Sequence, residues 1–154
     1  MALTVHVPGH AELRLEHLLL DVNGTLTDRG ALVDGVAERL AALAGMLEIR
    51  LLSADTLGTL ADVAGALGAR AGLVASGEEK ARVVAELGSA PCAAIGNGAN
   101  DAAMLHAAAL GIVVIGPEGA AGAAVSSADV VCASILDALD LLLDERALAA
   151  TVRR

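Results

Sequence analysis

Ile95-Gly96-Asn97-Gly98-Ala99-Asn100-Asp101-Ala102-Ala103-Met104-Leu105 passes from an apolar run into a loop of glycines and oxygen-bearing side chains, and then into apolar residues at helical spacing. The segment reads as strand, loop and helix. Asn97, Asn100 and Asp101 place hard oxygen atoms in that loop, the donor type that Mg²⁺ accepts, with water and phosphate completing its shell. The stretch fails as a dinucleotide fingerprint, because the third glycine of G-x-G-x-x-G is absent and it follows a late strand.

The same alternation extends to both sides. Upstream, the pattern predicts a hairpin from residues 4–7 and 12–15 around Pro8-Gly9 and a buried strand running through Leu18-Leu19-Leu20 into Asp21. A helix at 35–47, a strand at 48–53, a helix at 56–68, a strand at 71–75 and a helix at 77–88 capped by Ser76 follow. Downstream it predicts a helix at 100–110, a strand at 112–115, a weaker helix at 119–127, a strand at 129–133 and a final helix at 135–149. The strands around residues 51, 94, 113 and 131 are nearly continuous apolar runs, as in strands covered on both faces. The expected fold is therefore α/β, a doubly wound, mainly parallel sheet with an N-terminal β-hairpin. The connections are too short for a cap domain, so residues 1–154 read as one domain with an open site.

Composition narrows the function. The chain has 154 residues, 56% hydrophobic and 19% charged, with no Phe, Tyr or Trp and a net charge of −9. An aliphatic core follows, and binding of nucleic acid through a basic surface with stacking aromatics is excluded. Mean hydropathy is high at +0.67. No uncharged apolar stretch of about 18 residues accompanies it, so membrane insertion is not expected. The first ten residues lack the basic start and apolar run of a secretory signal, which points to the cytoplasm. Cys92 and Cys132 lie in short apolar runs and read as buried thiols, and the four histidines show no metal-ligand spacing. An open site, an apolar composition and a hairpin with a free edge lead to the expectation of a homo-oligomer.

In doubly wound sheets the binding crevice lies where strands stop, here at Asp21, Ser53, Gly96 and Gly116. Asp21-Val22-Asn23-Gly24-Thr25 offers a carboxylate at the end of a buried strand, then a glycine free to take positive φ and a hydroxyl. That is a nucleophile beside backbone amides suited to anions, or else an ordinary Asn-Gly turn. Ser53 and the amide of Ala54 could hold a phosphate oxygen, or Ser53 could cap a helix. Nine arginines accompany a single lysine, Lys80. An ammonium suits a point charge on a phosphoryl group, and the competing reading is a solvated helix residue.

These four segments, in this order, resemble the four motifs of the haloacid dehalogenase (HAD) superfamily, especially its small capless members akin to the phosphorylation domain of P-type ATPases. The resemblance spans Asp21 to Asp101. It implies that Asp21 is the phosphoryl-accepting nucleophile and a Mg²⁺ ligand, with Asn23, through its backbone carbonyl, Asn97 and Asp101 on the metal side. It assigns the phosphoryl oxygens to Ser53 and Lys80, and substrate contacts to Gly24, Thr25, Ala54 and Asn100. The implied partner is a small phosphorylated substrate or phosphoryl donor.

Two departures matter. Most phosphatases of the superfamily carry a second aspartate two residues after the nucleophile, where this chain has Asn23, and a metal-binding aspartate where it has Asn97. An amide neither donates nor accepts a proton near neutrality, so general acid–base catalysis, typically about 10²–10⁴-fold, is lost at that position. Two functions remain open. One is a Mg²⁺-dependent phosphatase or phosphotransferase that is slow or selective for activated donors. The other is a phosphate-binding or regulatory module that has lost turnover.

Overall fold

Leu18, Leu19 and Leu20 are completely shielded from solvent in β3 (His17–Asp21). They point alternately to two apolar layers, which is why an unbroken leucine run suits this position. The computed structural model describes residues 1–54 and 60–154. Around β3 lie β6 (Glu48–Ser53), β7 (Arg70–Leu73), β8 (Cys92–Gly96), β9 (Leu110–Val114) and β10 (Val130–Cys132), in the order β10-β9-β8-β3-β6-β7. Every pairing in this sheet is parallel. The chain leaves β3 toward β6 and β7, then returns to β8 on the opposite side of β3. The order thus reverses between β3 and β8, the point at whose carboxyl ends doubly wound sheets place their binding crevice. Register brings the ends together: Asp21 pairs with Leu52 and Leu20 with Ile95.

One face of the sheet packs Leu18, Leu20, Leu51 and Ile95 against α1 (Val36–Leu43), α2 (Leu60–Leu67), α6 (Ile135–Leu143) and α7 (Glu145–Val152). The other packs Leu19, Leu52, Ala94 and Val113 against α3 (Gly77–Leu87), α4 (Ala102–Ala107) and α5 (Gly122–Ser127). An antiparallel hairpin, β1 (Leu3–Val5) with β2 (Leu13–Leu15), adds Leu3, Val5 and Leu15 to the first layer. No helix among the described residues is long and apolar enough to cross a membrane.

Several elements differ from expectation at their ends. The helix expected at 35–47 stops at Leu43, where Ala44 to Met46 turn on backbone hydrogen bonds to Leu40, Ala42 and Leu43. Of the helix expected at 56–68, residues 56–59 lie outside the described residues and α2 is the remainder. The helix expected at 100–110 is a 3₁₀ turn, Ala99–Asp101, followed by the six-residue α4, and β9 starts at Leu110. The final helix is two, because Asp144 interrupts it and caps α7 by accepting the Ala147 amide at 3.0 Å. Strand β10 is an edge, so Val131 is 51% exposed and that strand is not covered on both faces. A short hairpin, β4 (Thr27–Asp28) with β5 (Ala31–Leu32), was not expected. Arg29 and Gly30 turn it with φ of 49° and 86°, the left-handed pair of a tight hairpin.

Candidate active site

Asp21 ends β3 at the carboxyl edge of the sheet, only 6% exposed. Its Oδ1 accepts a hydrogen bond from Lys80 Nζ at 2.7 Å, and its Oδ2 accepts one from Thr25 Oγ1 at 2.9 Å. Lys80 also donates to Asp101 Oδ1 at 2.7 Å. The lone lysine is therefore no solvated helix residue. It is 1% exposed and bridges two carboxylates from different strand ends. Local sequence delivers it there: the Ser76 hydroxyl accepts the Glu79 amide at 3.3 Å, starting α3 one turn before Lys80.

Asp101 is fully buried, and its Oδ2 accepts the backbone amides of Asn97 and Gly98, each at 3.0 Å. Both of its oxygens are thus engaged by N–H donors, which makes it the group that shapes the loop and holds Lys80. Gly96 permits that approach, since a Cβ there would lie 2.5 Å from Asp101 Cγ. Asn97 is oriented from behind: its Nδ2 donates to the Gly119 carbonyl at 3.1 Å, and its Oδ1 faces Thr25 Oγ1 at 3.0 Å. Thr25 has one hydroxyl proton to share between Asp21 and Asn97. Those two side-chain oxygens consequently look at one point.

Ser53, 1% exposed at the end of β6, accepts a hydrogen bond from Asn23 Nδ2 at 3.4 Å. Gly24 has φ +77° and its carbonyl lies against the Cα of Gly116, in the loop after β9. Of the ten residues expected at the site, Asp21, Asn23, Gly24, Thr25, Ser53, Lys80, Asn97 and Asp101 are brought together. Ala54 and Asn100 are exposed at the rim. Sequence reasoning gave Thr25 a substrate contact and did not see it as the bridge between Asp21 and Asn97. The helix expected at 119–127 begins only at Gly122, and residues 117–121 instead form a turn and loop beside the site, for which Pro117-Glu118-Gly119 directly after a strand is the sequence signal.

Electrostatics follow from this packing. Burial, reinforced by the charge of Asp101, pushes the Asp21 carboxyl above its ordinary range, against the opposing charge and hydrogen bonds of Lys80 and Thr25. Burial alone would lower Lys80, but Asp21 and Asp101 outweigh it and hold the ammonium above the ordinary lysine value. Two carboxylates share one cation, so the floor keeps a net negative charge. That imbalance, with oxygen as the ligand atom that Asp21, Asn97 and Asp101 offer, suits a hard cation. No group of three His, Cys, Asp or Glu among the described residues is placed to hold a metal ion by itself.

No protein-family profile matches the chain. Over 60 residues it is 57% identical to the uncharacterized protein MJ0073 of Methanocaldococcus jannaschii, covering 39% of this chain and 64% of that protein. It is 51% identical over 39 residues to MJ0072 of the same organism, covering 25% of this chain and 89% of that protein, and belongs to one family with it. The chain spans less than two thirds of MJ0073.

Among solved structures, it superposes with a TM-score of 0.68 and 18% identity on a Streptomyces avermitilis protein assigned provisionally to the HAD family of hydrolases, covering 83% of this chain and 84% of that one. The fold is that of the haloacid dehalogenase superfamily. Another similar structure is the 3-deoxy-D-manno-octulosonate 8-phosphate phosphatase of Moraxella catarrhalis, solved with magnesium, phosphate and KDO. It gives a TM-score of 0.65 at 17% identity, covering 90% of this chain and 94% of that one. A zinc-transporting PIB-type ATPase in its E2.Pi state gives 0.63 at 30% identity, covering 79% of this chain and 20% of the ATPase.

Proposed function

We propose that this HAD-fold protein is a Mg²⁺-dependent phosphatase or phosphotransferase that works through a phosphorylated Asp21 on small soluble donors in the cytoplasm. The observation that carries this reading is the Lys80 ammonium bridging Asp21 and Asp101 at 2.7 Å each, a buried charged triad at the switch point of the sheet. The relatives with which the fold is shared include a phosphatase solved with magnesium and phosphate. Asp21, Asn97 and the Asn23 carbonyl would hold the cation, which offsets charge on the phosphoryl oxygens.

Asp21 attacks phosphorus in line, the bond to the leaving oxygen breaks, and that oxygen departs with the electron pair toward the crevice mouth. Lys80 and the Ser53 hydroxyl meet the phosphoryl oxygens, while the Gly24 and Thr25 region wraps them. Water then attacks phosphorus, the bond to Asp21 breaks with its electron pair returning to the carboxylate, the water's proton passes to solvent, and phosphate leaves. Asn23 has no carboxyl with which to protonate a leaving alkoxide, so acyl phosphates and other donors with stable leaving groups are the favoured substrates. The same amide supports a second reading, a phosphate-binding module without turnover. Intact-mass spectrometry after exposure to acetyl phosphate and Mg²⁺ tests the proposal. A phosphoryl adduct on wild type that is absent from Asp21→Asn is expected, and an unmodified wild type that still binds phosphate favours the second reading.

A further inference from the structure

The loop after β9 carries a carboxylate that the chemistry above does not use. Gly116-Pro117-Glu118-Gly119 is a tight turn closed by the Gly119 amide on the Gly116 carbonyl at 2.9 Å, with proline fixing the first corner. The turn is fastened to both site loops. Asn97 Nδ2 holds the Gly119 carbonyl at 3.1 Å, the Ala121 amide holds the Asn97 carbonyl at 2.8 Å, and the Gly116 Cα abuts the Gly24 carbonyl. Glu118 extends from this fixed base across Gly24. Its carboxylate occupies the space a Cβ at Gly24 would need, and Asn97 Nδ2 lies 3.2 Å from the same point.

Glu118 is exposed against Gly24, and its carboxylate has no hydrogen bond or ion pair among the described residues. Arg29 of the β4–β5 hairpin pairs with Asp28 at 2.9 Å, and Glu79 accepts the Ala75 amide at 2.7 Å, so neither is an ion-pair partner of Glu118. Lys80 lies deeper, bridging Asp21 and Asp101. In-line attack by Asp21 sends the leaving group away from the Asp21 carboxylate, and Glu118 lies over Gly24, three residues after the nucleophile and beside Asn97. A phosphate-bearing ligand therefore places whatever lies beyond its phosphate next to a fixed negative charge, in a chain whose net charge is already −9.

We infer that Glu118 is a specificity-determining residue, selecting phosphorylated ligands that carry a cationic group a few atoms from the phosphate and disfavouring those with an anionic one. This deepens the proposed function and rests on its phosphate cradle. The test is calorimetric titration in Mg²⁺ of wild type, Glu118→Gln and Glu118→Lys with three probes: inorganic phosphate, O-phosphoethanolamine and phosphoglycolate. The two esters share a two-carbon arm and differ in the sign of its end.

Wild type is expected to bind O-phosphoethanolamine about tenfold tighter than phosphoglycolate, the size of one solvent-exposed charge contact. Glu118→Gln should bring the ratio near one, and Glu118→Lys should invert it. Equal affinities in wild type, an unchanged ratio in Glu118→Gln, or binding of phosphate without either ester overturns the assignment while leaving the cradle intact. Failure of phosphate itself to bind any of the three proteins overturns the cradle reading and the assignment with it.

Discussion

Lys80 is where one side chain decides most. Removing the ammonium leaves Asp21 and Asp101 buried without a counter-charge, so Lys80→Met is expected to cost about 3–5 kcal/mol at neutral pH. The pH dependence has a definite sign. Because its folded pKa is raised, Lys80 stabilises the native state fully below the ordinary lysine value and loses that contribution as pH climbs through the raised one. Asp21, also raised, works oppositely: its ionised form is the costly one, and protonation relieves the fold. Calorimetric melts of Lys80→Met should show a deficit that shrinks as pH falls through the raised Asp21 value, and a deficit of constant size would refute this account. For chemistry, Asn23→Asp should speed hydrolysis of alkyl phosphates by about 10²–10⁴-fold and of acyl phosphates by less, as read in phosphate-release kinetics. Intact mass must accompany those assays, because Asn23-Gly24 and Asn97-Gly98 are sequences prone to deamidation. The sequence made Asp21 legible because a carboxylate ending an apolar run is unusual. Lys80 stayed ambiguous, since its burial depends on two carboxylates that come from β3 and the loop after β8.

Among the elements, α3 and the loop after β8 can be separated experimentally. Ser76→Ala removes a cap and should cost about 1 kcal/mol, with the site intact once folded. Gly96→Ala pushes on Asp101 itself, and it should cost about 1–3 kcal/mol and also abolish phosphate binding. Equal phosphate affinity in the two variants, measured by titration, would remove Asp101 from the site. The βα order and most strands were readable because apolar runs and their breakers repeat regularly. Helix ends were not, for physical reasons particular to each. Asp144 splits the last helix while the apolar period continues on either side of it, and Ala108 turns out of α4 although alanine favours helix. The β4–β5 hairpin escaped because Arg29 takes a left-handed conformation that arginine seldom adopts.

For the molecule as one body, the unequal charge of the floor links stability to ligands. Mg²⁺ with phosphate should raise the melting temperature, since a ligand at about a hundred times its dissociation constant adds about 2.7 kcal/mol. EDTA should reverse the shift in wild type and do nothing to Asp21→Asn; an identical response of both proteins would detach the cation from Asp21. A different consequence follows from the aliphatic layers on the two faces of the sheet. With no Phe, Tyr or Trp anywhere in the chain, the protein is optically silent in the near ultraviolet. One tryptophan placed at Ile115, half exposed and directly before the Gly116 turn, would then fluoresce against a blank background. The absence of aromatics makes this protein a ready host for a single reporter, whose emission can follow ligand arrival at the crevice mouth with no other residue contributing to the signal.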